Sequence, residues 1–424
     1  MTSSMNPLSL PIDNVLAWAI IIVATCGVIA RPFHWPEAIW AVAGAVAVIV
    51  LGLVPWRDAV AAMGEGADVY LFLLGMMLLS ETARREGLFD WLAVEAVLHA
   101  KGSPRRLFLL IYGVGTVVTV FMSNDATAVV LTPAVFAAAK KAKLEPLPYL
   151  FICAFVANAA SFVLPISNPA NIVLYGGHMP ALLDWLKSFA LPSAAAIVAT
   201  YLVLRWRMRH ALAGRVELPA RTTLPRGAGV ALAGIVLTAL ALIVTSFLDI
   251  KFGWPAAIGG VATALAVLAT ERASPWPVIR HISWSVIPLV AGLFVLVRAI
   301  ERTGLIAGVT HDLVALTQQS ETLAAAAAGG VAALISNTMN NLPVGLIAAS
   351  VLTHAQPPLV VTDAALIGVD LGPNLSVTGS LATILWLLAI RRDGEHVDFW
   401  RFLKVGALVM PPALILAIAA RLIV

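Results

Sequence analysis

Long apolar runs separated by short polar loops dominate the chain. A helix needs about 20 mostly apolar residues to cross roughly 30 Å of hydrocarbon. The runs that meet this need are 14–30, 37–54, 67–83, 148–178, 181–205, 227–247, 254–270, 283–300, 359–390 and 399–422. The pattern therefore predicts an all-α polytopic membrane protein.

Two further apolar segments, 107–140 and 322–352, are interrupted near their middle by polar clusters. The arms of the first segment, 107–121 and 126–139, would rise only about 21–23 Å, which is too short to cross the bilayer. We therefore expect two re-entrant helical hairpins, whose tips are covered by protein or water. The alternative is a pair of ordinary spans with polar kinks.

The composition excludes a soluble protein. Hydrophobic residues make up 60% of the 424 residues and charged residues 12%, against about 25% charged residues in ordinary soluble domains. The net charge of +4 is small, so no nucleic-acid partner is indicated. Cys26 and Cys153 lie inside apolar runs and offer no disulfide framework and no metal spacing. No enzyme motif or ATP-binding loop is recognised, so neither catalysis nor a cofactor is expected.

Basic residues predict the orientation in the membrane. Six arginines lie between positions 205 and 226, where Glu217 is the only acid, and the positive-inside rule places this loop in the cytoplasm. The basic residues of the other loops fall on the same side only if both hairpins return to the side they left. The sequence thus predicts a multi-pass protein of the inner (plasma) membrane with both termini on the non-cytoplasmic side.

The same order of segments occurs twice: three spans, an amphipathic stretch, a hairpin, a broken span and a last span. Asn124 in the first copy matches Asn341 in the second, and Gly75 matches Gly292 at the same offset along the chain. Each copy has five crossings, an odd number, so the copies must be inverted relative to each other. We predict a first inverted repeat at 1–205, a basic cytoplasmic linker at 206–226 and a second inverted repeat at 227–424. Each repeat would contain five transmembrane helices, one of them broken, and one re-entrant hairpin, which is typical of secondary transporters.

Polar residues interrupt the predicted membrane interior at four places. Asn, Ser and Thr side chains there add uncharged donors and acceptors, while Pro and Gly free backbone groups. Such a site suits a small hydroxylated or oxyanionic solute; the alternative is that these side chains join helices, at about 0.6 kcal/mol per hydrogen bond. The side chains predicted to bind substrate are Ser123, Asn124, Asn168, Asn171, Asn337, Asn340, Asn341 and Asn374.

Asp125 and Asp370 are the two acids within these breaks. A carboxylate near the membrane centre is costly and is by default a functional hypothesis, so we predict that these acids carry protons and couple transport. The alternative for Asp125 is a cap at the head of a hairpin arm. Glu81 and Arg298 lie near span ends, where interfacial anchoring explains them.

The four breaks resemble those of arsenite efflux pumps of the ArsB type, which belong to the ion-transporter superfamily. The motifs are SNDATAVVLTP at 123–133, SNPANIV at 167–173, SNTMNNLP at 336–343 and DLGPNLSVTGSLATILWL at 370–387. The likeness runs from about residue 15 to the C-terminus, and Ser123 and Thr127 stand where smaller residues are expected. It implies paired hairpins and broken helices around one site. It also implies export of arsenite and antimonite in exchange for protons, or together with a soluble arsenite-stimulated ATPase.

The sequence therefore predicts an arsenite/antimonite:proton antiporter. Trivalent arsenic prefers sulfur ligands, but a tight thiolate trap would slow release, so we expect oxygen and amide recognition that requires neither Cys26 nor Cys153. A sodium-coupled or silicic-acid exchanger of the same superfamily remains an alternative. A passive channel for neutral solutes is a third, which the two inverted halves and the paired acids disfavour.

Overall fold

The computed structural model describes residues 12–176, 179–248 and 250–424. The N-terminal residues, which were predicted to lie on the non-cytoplasmic side, fall outside these ranges. Within them the chain folds into α-helices and short turns, without β-strands. The helices of the first half are α1 (Ile12–Ala30), α2 (Glu37–Val50), α3 (Trp56–Glu65), α4 (Ala67–Arg85), α5 (Leu88–His99), α6 (Pro104–Met122), α7 (Asn124–Ala126), a π-helical turn (Thr127–Leu131), α8 (Thr132–Lys141), α9 (Leu147–Ala159), α10 (Pro169–Tyr175) and α11 (Leu182–Arg207). Those of the second half are α12 (Arg226–Phe247), α13 (Gly253–Glu271), α14 (Trp276–His281), α15 (Val286–Arg302), α16 (Leu305–Gln319), α17 (Glu321–Met339), α18 (Asn341–Ala355), α19 (Leu359–Leu371), α20 (Leu381–Arg392) and α21 (Phe399–Arg421).

Several helices have the length and apolar character of membrane spans. In the described ranges seven helices qualify, or eight if α3 and α4, which are bent by 46° at their junction, form one span. This confirms a polytopic helical membrane protein. Fewer helices qualify than the ten predicted runs, because the runs 148–178 and 359–390 are each divided into two short helices. In addition, α2 and α15 have only 14 and 17 residues.

The first arm of each predicted hairpin is longer than expected. Helices α6 and α17 have 19 residues each, and both have the length and apolar character to cross a membrane. Helix α6 begins at Pro104, because the Ser103 side chain caps it by accepting the Arg106 N–H at 3.3 Å. The helix therefore rises about 28 Å, and the prediction that this arm is too short to cross was wrong. A single residue ends each arm, Ser123 after α6 and Asn340 after α17, where the polar tips were predicted.

Contacts between the two halves are reciprocal. Helix α4 packs against α13, and α2 packs against α15. Both contacts depend on a glycine: a Cβ atom at Gly75 would overlap the Ala256 carbonyl oxygen, and one at Gly292 would lie 2.8 Å from the Ala41 carbonyl carbon. The offset between these two glycines equals the offset between the two tip residues. The inversion of the halves across the membrane and the boundaries of the repeats stay predictions.

The two broken spans form the interior of the protein. All thirteen residues of α9 are buried, and α9 contacts α6, α8 and α11 of its own half as well as α19 and α20 of the other half. Helices α1, α12 and α13 bury only about a third of their residues or less, and their exposed apolar side chains form the lipid-facing surface. The polar breaks are therefore enclosed by protein on most sides.

The linker at 206–226 lies against two other basic loops. The Val216 N–H donates to the Gly102 carbonyl at 3.1 Å, and the Glu217 N–H donates to the Ala142 carbonyl at 3.2 Å. Both carbonyls belong to loops that the charge pattern assigned to the cytoplasmic side. The three loops therefore share one face of the protein.

Candidate functional site

The two hairpin tips share one unusual backbone conformation. Ser123 has φ 103° and ψ 160°, and Asn340 has φ 77° and ψ 154°. Each N–H still donates to the carbonyl four residues back, Ser123 to Thr119 at 3.1 Å and Asn340 to Ser336 at 2.9 Å. A positive φ at a residue other than glycine costs about 1–3 kcal/mol, and such strain concentrates at functional sites. In each tip the following residue, Asn124 or Asn341, begins a new helix.

Asn124 and Asn341 are the residues that follow the tips. Both are buried, and the Oδ1 atom of Asn124 has no hydrogen-bond partner among the described residues. The Asn341 N–H donates to the Gly379 carbonyl at 2.9 Å, which connects the second tip to the break of the second half. An unpaired buried acceptor costs about 1–3 kcal/mol, so the Asn124 oxygen is available to a further hydrogen-bond donor.

Asn168 joins the first break to the acid of the second half. Its side chain caps α10 by accepting the Ala170 N–H at 3.0 Å, and its Nδ2 donates to Asp370 Oδ1 at 2.7 Å. Asp370 is fully buried in α19, and its Oδ2 atom has no partner among the described residues. The Ser167 hydroxyl donates to the Val120 carbonyl at 3.0 Å. The first break is thereby joined to the end of α6, beside the first tip.

The reciprocal contact is made by Ser380 and Asn158. Ser380 caps α20, and its hydroxyl donates to Asn158 Oδ1 on α9 at 3.4 Å. Asn158 is fully buried, and sequence reasoning missed it because it lies alone in an apolar run. One signal could have found it: the spacing from Asn158 to Asp370 along the chain is the same as the spacing from Asn168 to Ser380.

Asn171, Asn337 and Asn374 hold the breaks in shape. Each donates its side-chain N–H to backbone carbonyls: Asn171 to Ser161 at 2.9 Å, Asn337 to Gly372 at 3.0 Å and Asn374 to Phe155 at 3.1 Å. The Asn337 oxygen also accepts from the Ser376 N–H and hydroxyl, and the Asn374 oxygen accepts from Asn158 Nδ2 at 3.0 Å. The Asn171 oxygen is buried without a partner among the described residues. The side-chain amides of Asn337 and Asn374 are thus hydrogen-bonded to other residues of the protein through both their nitrogen and their oxygen.

Two cavities lie at opposite ends of α4 and α15. The smaller, of about 70 Å³, is lined by Ser123, Asp125 and Pro169 together with α4 residues up to Glu81. The larger, of about 460 Å³, is lined by the start of α4, the end of α15 and Gly176, which follows α10. Helix α10 therefore extends from one cavity to the other, and its seven buried residues span about 10 Å.

Glu81 and Arg298 lie beside these cavities, and each forms an ion pair. The acid of the first half corresponds to the arginine of the second half. Glu81 accepts from the Arg84 guanidinium at 2.6 and 2.7 Å, beside the smaller cavity. Arg298 donates to Glu301 at 2.9 Å and to Glu65 at 2.6 Å, beside the larger one. The offset that relates the two tips also relates Glu81 to Arg298 and Arg84 to Glu301. Interfacial anchoring is therefore an incomplete explanation, because both side chains make specific ion pairs.

A buried charged cluster lies at the other end of α10. The Arg421 Nε donates to Asp363 Oδ2 at 2.6 Å, and the Tyr175 hydroxyl donates to Asp363 Oδ1. All three residues are buried. Asp363 lies two turns before Asp370 on α19, and Asn168 precedes Tyr175 by the same spacing. Two polar contacts, one at each end, thus join α10 to α19.

The two thiols belong to helices other than α6 and α17, which end at the tips. Cys153 is buried in α9, with its Sγ 3.8 Å from the Tyr149 carbonyl oxygen, and Cys26 is exposed on α1. Among the described residues no group of three or more His, Cys, Asp or Glu side chains could hold a metal ion.

Comparisons with known proteins identify the family. The family model described as "Citrate transporter" (CitMHS) matches residues 17–390. Arsenical pump membrane proteins are similar over nearly the whole chain: one from Escherichia coli (strain K12) is 26% identical over 422 residues, covering 96% of this chain and 98% of its own. An uncharacterized transporter of Mycobacterium tuberculosis (strain ATCC 25618 / H37Rv) is 25% identical over 394 residues, covering 89% and 91%. These matches confirm the resemblance to ArsB-type pumps.

Solved structures show the same fold. The Alcanivorax borkumensis YdaH transporter has a TM-score of 0.59 at 14% identity, covering 97% of this chain and 98% of its own. Neisseria gonorrhoeae MtrF, described as belonging to a class of antimetabolite efflux pumps, has a TM-score of 0.53 at 12% identity, covering 98% and 95%. The fold is that of membrane transporters, and the chain belongs to the citrate transporter (CitMHS) family.

Proposed function

We propose that this protein exports arsenite and antimonite from the cytoplasm in exchange for protons. The observation that carries the proposal is a set of buried acceptors without partners among the described residues: Asn124 Oδ1, Asn171 Oδ1 and Asp370 Oδ2. At neutral pH arsenous acid is an uncharged trihydroxide, and its O–H groups would satisfy acceptors of this kind. The resemblance to arsenical pump membrane proteins over 96% of the chain supports the same substrate class.

The lack of an unpaired lysine or arginine in the lining of the smaller cavity, among the described residues, argues against citrate, the substrate in the family's description. Citrate is a multiply charged anion at neutral pH, and a buried anion requires a cationic or strongly donating partner. Among the described residues, the lining of the smaller cavity contains the acids Glu81 and Asp125 and one histidine, His281, but neither lysine nor arginine, and the nearby Arg84 is paired with Glu81. A neutral substrate avoids this repulsion.

Asp125 and Asp370 would have different roles in coupling proton entry to arsenite export. Asp125 faces the smaller cavity, whose volume of about 70 Å³ exceeds the roughly 10–15 Å³ that one water needs, so a proton can reach it through water. Asp370 is fully buried and holds Asn168, so a change in its protonation would act on the first break. One inward proton yields about 2.3 kcal/mol per 100 mV of membrane potential. A single proton at roughly 150 mV would thus support a several-hundred-fold arsenite gradient.

Helix α10 would be the barrier between the two sides. In the predicted orientation the larger cavity opens to the non-cytoplasmic side, so we assign this conformation to the outward-open state. Movement of α10 and the hairpin tips would shrink the larger cavity and enlarge the smaller one. This would give alternating access, as expected for two inverted repeats joined by a cytoplasmic linker.

Uptake of radiolabelled arsenite into everted membrane vesicles tests the proposal. We expect accumulation above the external concentration when a proton gradient is imposed, and its loss when a protonophore is added. Excess antimonite should compete and excess citrate should not. Accumulation driven by a sodium gradient would indicate the sodium-coupled alternative, and simple equilibration would indicate a channel. Vesicles that contain no ATPase partner and still accumulate arsenite would show that the chain acts alone.

A further inference from the structure

A basic cavity lies where α11 ends and α6 begins. Its volume is about 360 Å³. The residues that line it are Arg105, Leu202, Arg205, Trp206, Arg209 and Leu212. The cavity belongs to the face that carries the linker and the other basic loops, and it is separate from both cavities beside α4.

The three arginines of this cavity form no ion pair within the described residues. The Arg205 and Arg209 guanidinium groups lie over aromatic rings, 5.9 Å from the Tyr201 centroid and 5.4 Å from the Trp206 centroid. Glu217, the only acid of the linker, is engaged with Lys143 at 3.0 Å. The cavity therefore has a surplus of positive charge that the described part of the protein leaves unbalanced.

Helix electrostatics explains only part of this charge. Arg205 lies in the last turn of α11, where the negative end of the helix dipole favours cations. Arg105 lies in the first turn of α6, where the dipole is positive and no acid is present. An anion bound at this point would balance both the arginine and the end of the helix.

The surroundings of the cavity fit a lipid. Leu202 and Val198 are exposed on the adjoining turns of α11, on its lipid-facing surface, and Trp206 follows at the point where this surface meets the basic linker. Tryptophan is enriched at membrane–water interfaces. The positive-inside rule accounts for basic residues on this face, but it does not require arginines from two helices to meet in one cavity beside an apolar strip.

We propose that this cavity binds the phosphate headgroup of an anionic phospholipid, with the acyl chains along Leu202 and Val198. Arginine suits this role, because its planar guanidinium group matches phosphate oxygens with two parallel hydrogen bonds. The bound lipid would fix the end of α11 against the start of α6.

Native mass spectrometry of the purified full chain tests this site, with phosphatidylglycerol and phosphatidylcholine as probes. We expect preferential retention of phosphatidylglycerol, and about 100-fold weaker retention by R105Q/R205Q/R209Q. The matched control is R272Q/R280Q/R391Q, which removes three arginines of the same predicted face outside the cavity, and its retention should stay unchanged.

Three outcomes would overturn the proposal: equal retention of the two lipids, unchanged retention by the cavity variant, or an equal loss in the control variant. Displacement of the lipid by millimolar inorganic phosphate would instead indicate a site for soluble phosphate and would also overturn it. If the triple variant does not fold, R105Q alone decides, because the Arg105 side chain makes no hydrogen bond or ion pair within the described residues. We then expect reduced phosphatidylglycerol retention with an unchanged melting temperature.

Discussion

Loss of either Asp363 or Arg421 alone should destabilise the protein, whereas replacement of both charged side chains together should not. Their side chains are only 1% and 10% exposed, so both charges are removed from water. Removing one partner of a buried pair leaves an uncompensated charge and costs about 3–5 kcal/mol, whereas replacing both is often neutral or stabilising. We therefore expect D363N and R421M each to lower the free energy of unfolding by about 3–5 kcal/mol.

The double variant D363N/R421M should recover most of this loss. The asparagine introduced in place of Asp363 keeps an oxygen that can accept the Tyr175 hydroxyl, and the methionine in place of Arg421 fills the space of the arginine stem without a charge. The coupling energy from the double-mutant cycle should then be several kcal/mol, measured by denaturation in one detergent with a fixed protein concentration.

The exposed pair of Asp184 and Lys187 provides the matched control. Its atoms are 2.7 Å apart, but its side chains are 59% and 76% exposed, so D184N/K187M should show no measurable coupling. If the losses of D363N and R421M simply add in the double variant, the pair does not interact as argued. If the double variant is stable but has lost proton-driven transport, Asp363 is a third proton carrier and not an anchor of α10.

Two further outcomes follow from the site, and a third follows from the packing of α4 against α13. D125N should abolish proton-driven arsenite accumulation in everted vesicles while arsenite still binds, because the amide keeps the shape but cannot carry a proton; accumulation that persists and still depends on pH would refute the assignment. C26S/C153S should export arsenite at the normal rate, and loss of export at normal expression would contradict oxygen and amide recognition. G75V should destabilise the protein in a thermal melt, because α4 closely approaches the α13 backbone at this point. G113A, where a Cβ would meet no atom within 4 Å, should leave the melting temperature unchanged.

The hairpin tips could be predicted from the sequence, whereas the buried polar contacts could not. Polar residues in the middle of an apolar segment demand a turn, and the tips at Ser123 and Asn340 lie where this argument placed them. Asn158 is a single polar residue and Asp363 follows only Thr362 in otherwise apolar runs, which disturbs a helix too little to indicate a break. Their roles depend on partners in the opposite half of the chain.

The function of individual asparagines also could not be read from the sequence. An amide suits a substrate site and a helix contact equally well, because both use the same donors and acceptors. The structure distinguishes them by what remains unpaired: Asn124 retains a buried oxygen without a partner among the described residues, whereas Asn374 uses its amide on Phe155 and Asn158. The start of α6 was also misplaced. The capping hydrogen bond at Ser103 extends the helix beyond the apolar run from which its length was predicted.

The asymmetry between the two halves bears on the proposed coupling to protons. Matching positions carry different chemistry: Asp370 in α19 corresponds to Asn158 in α9, and their capping partners are Asn168 and Ser380. Of these two contacts across the halves, only the one to Asp370 contains a carboxyl group, whereas the other joins a hydroxyl to an amide. If the halves exchange their roles as proposed, the two states would differ in whether this carboxyl group holds Asn168, so a proton would stabilise them unequally. Under the proposed function, one such contact would be enough to couple the exchange to a single proton, and one proton suffices for the arsenite gradient worked out above.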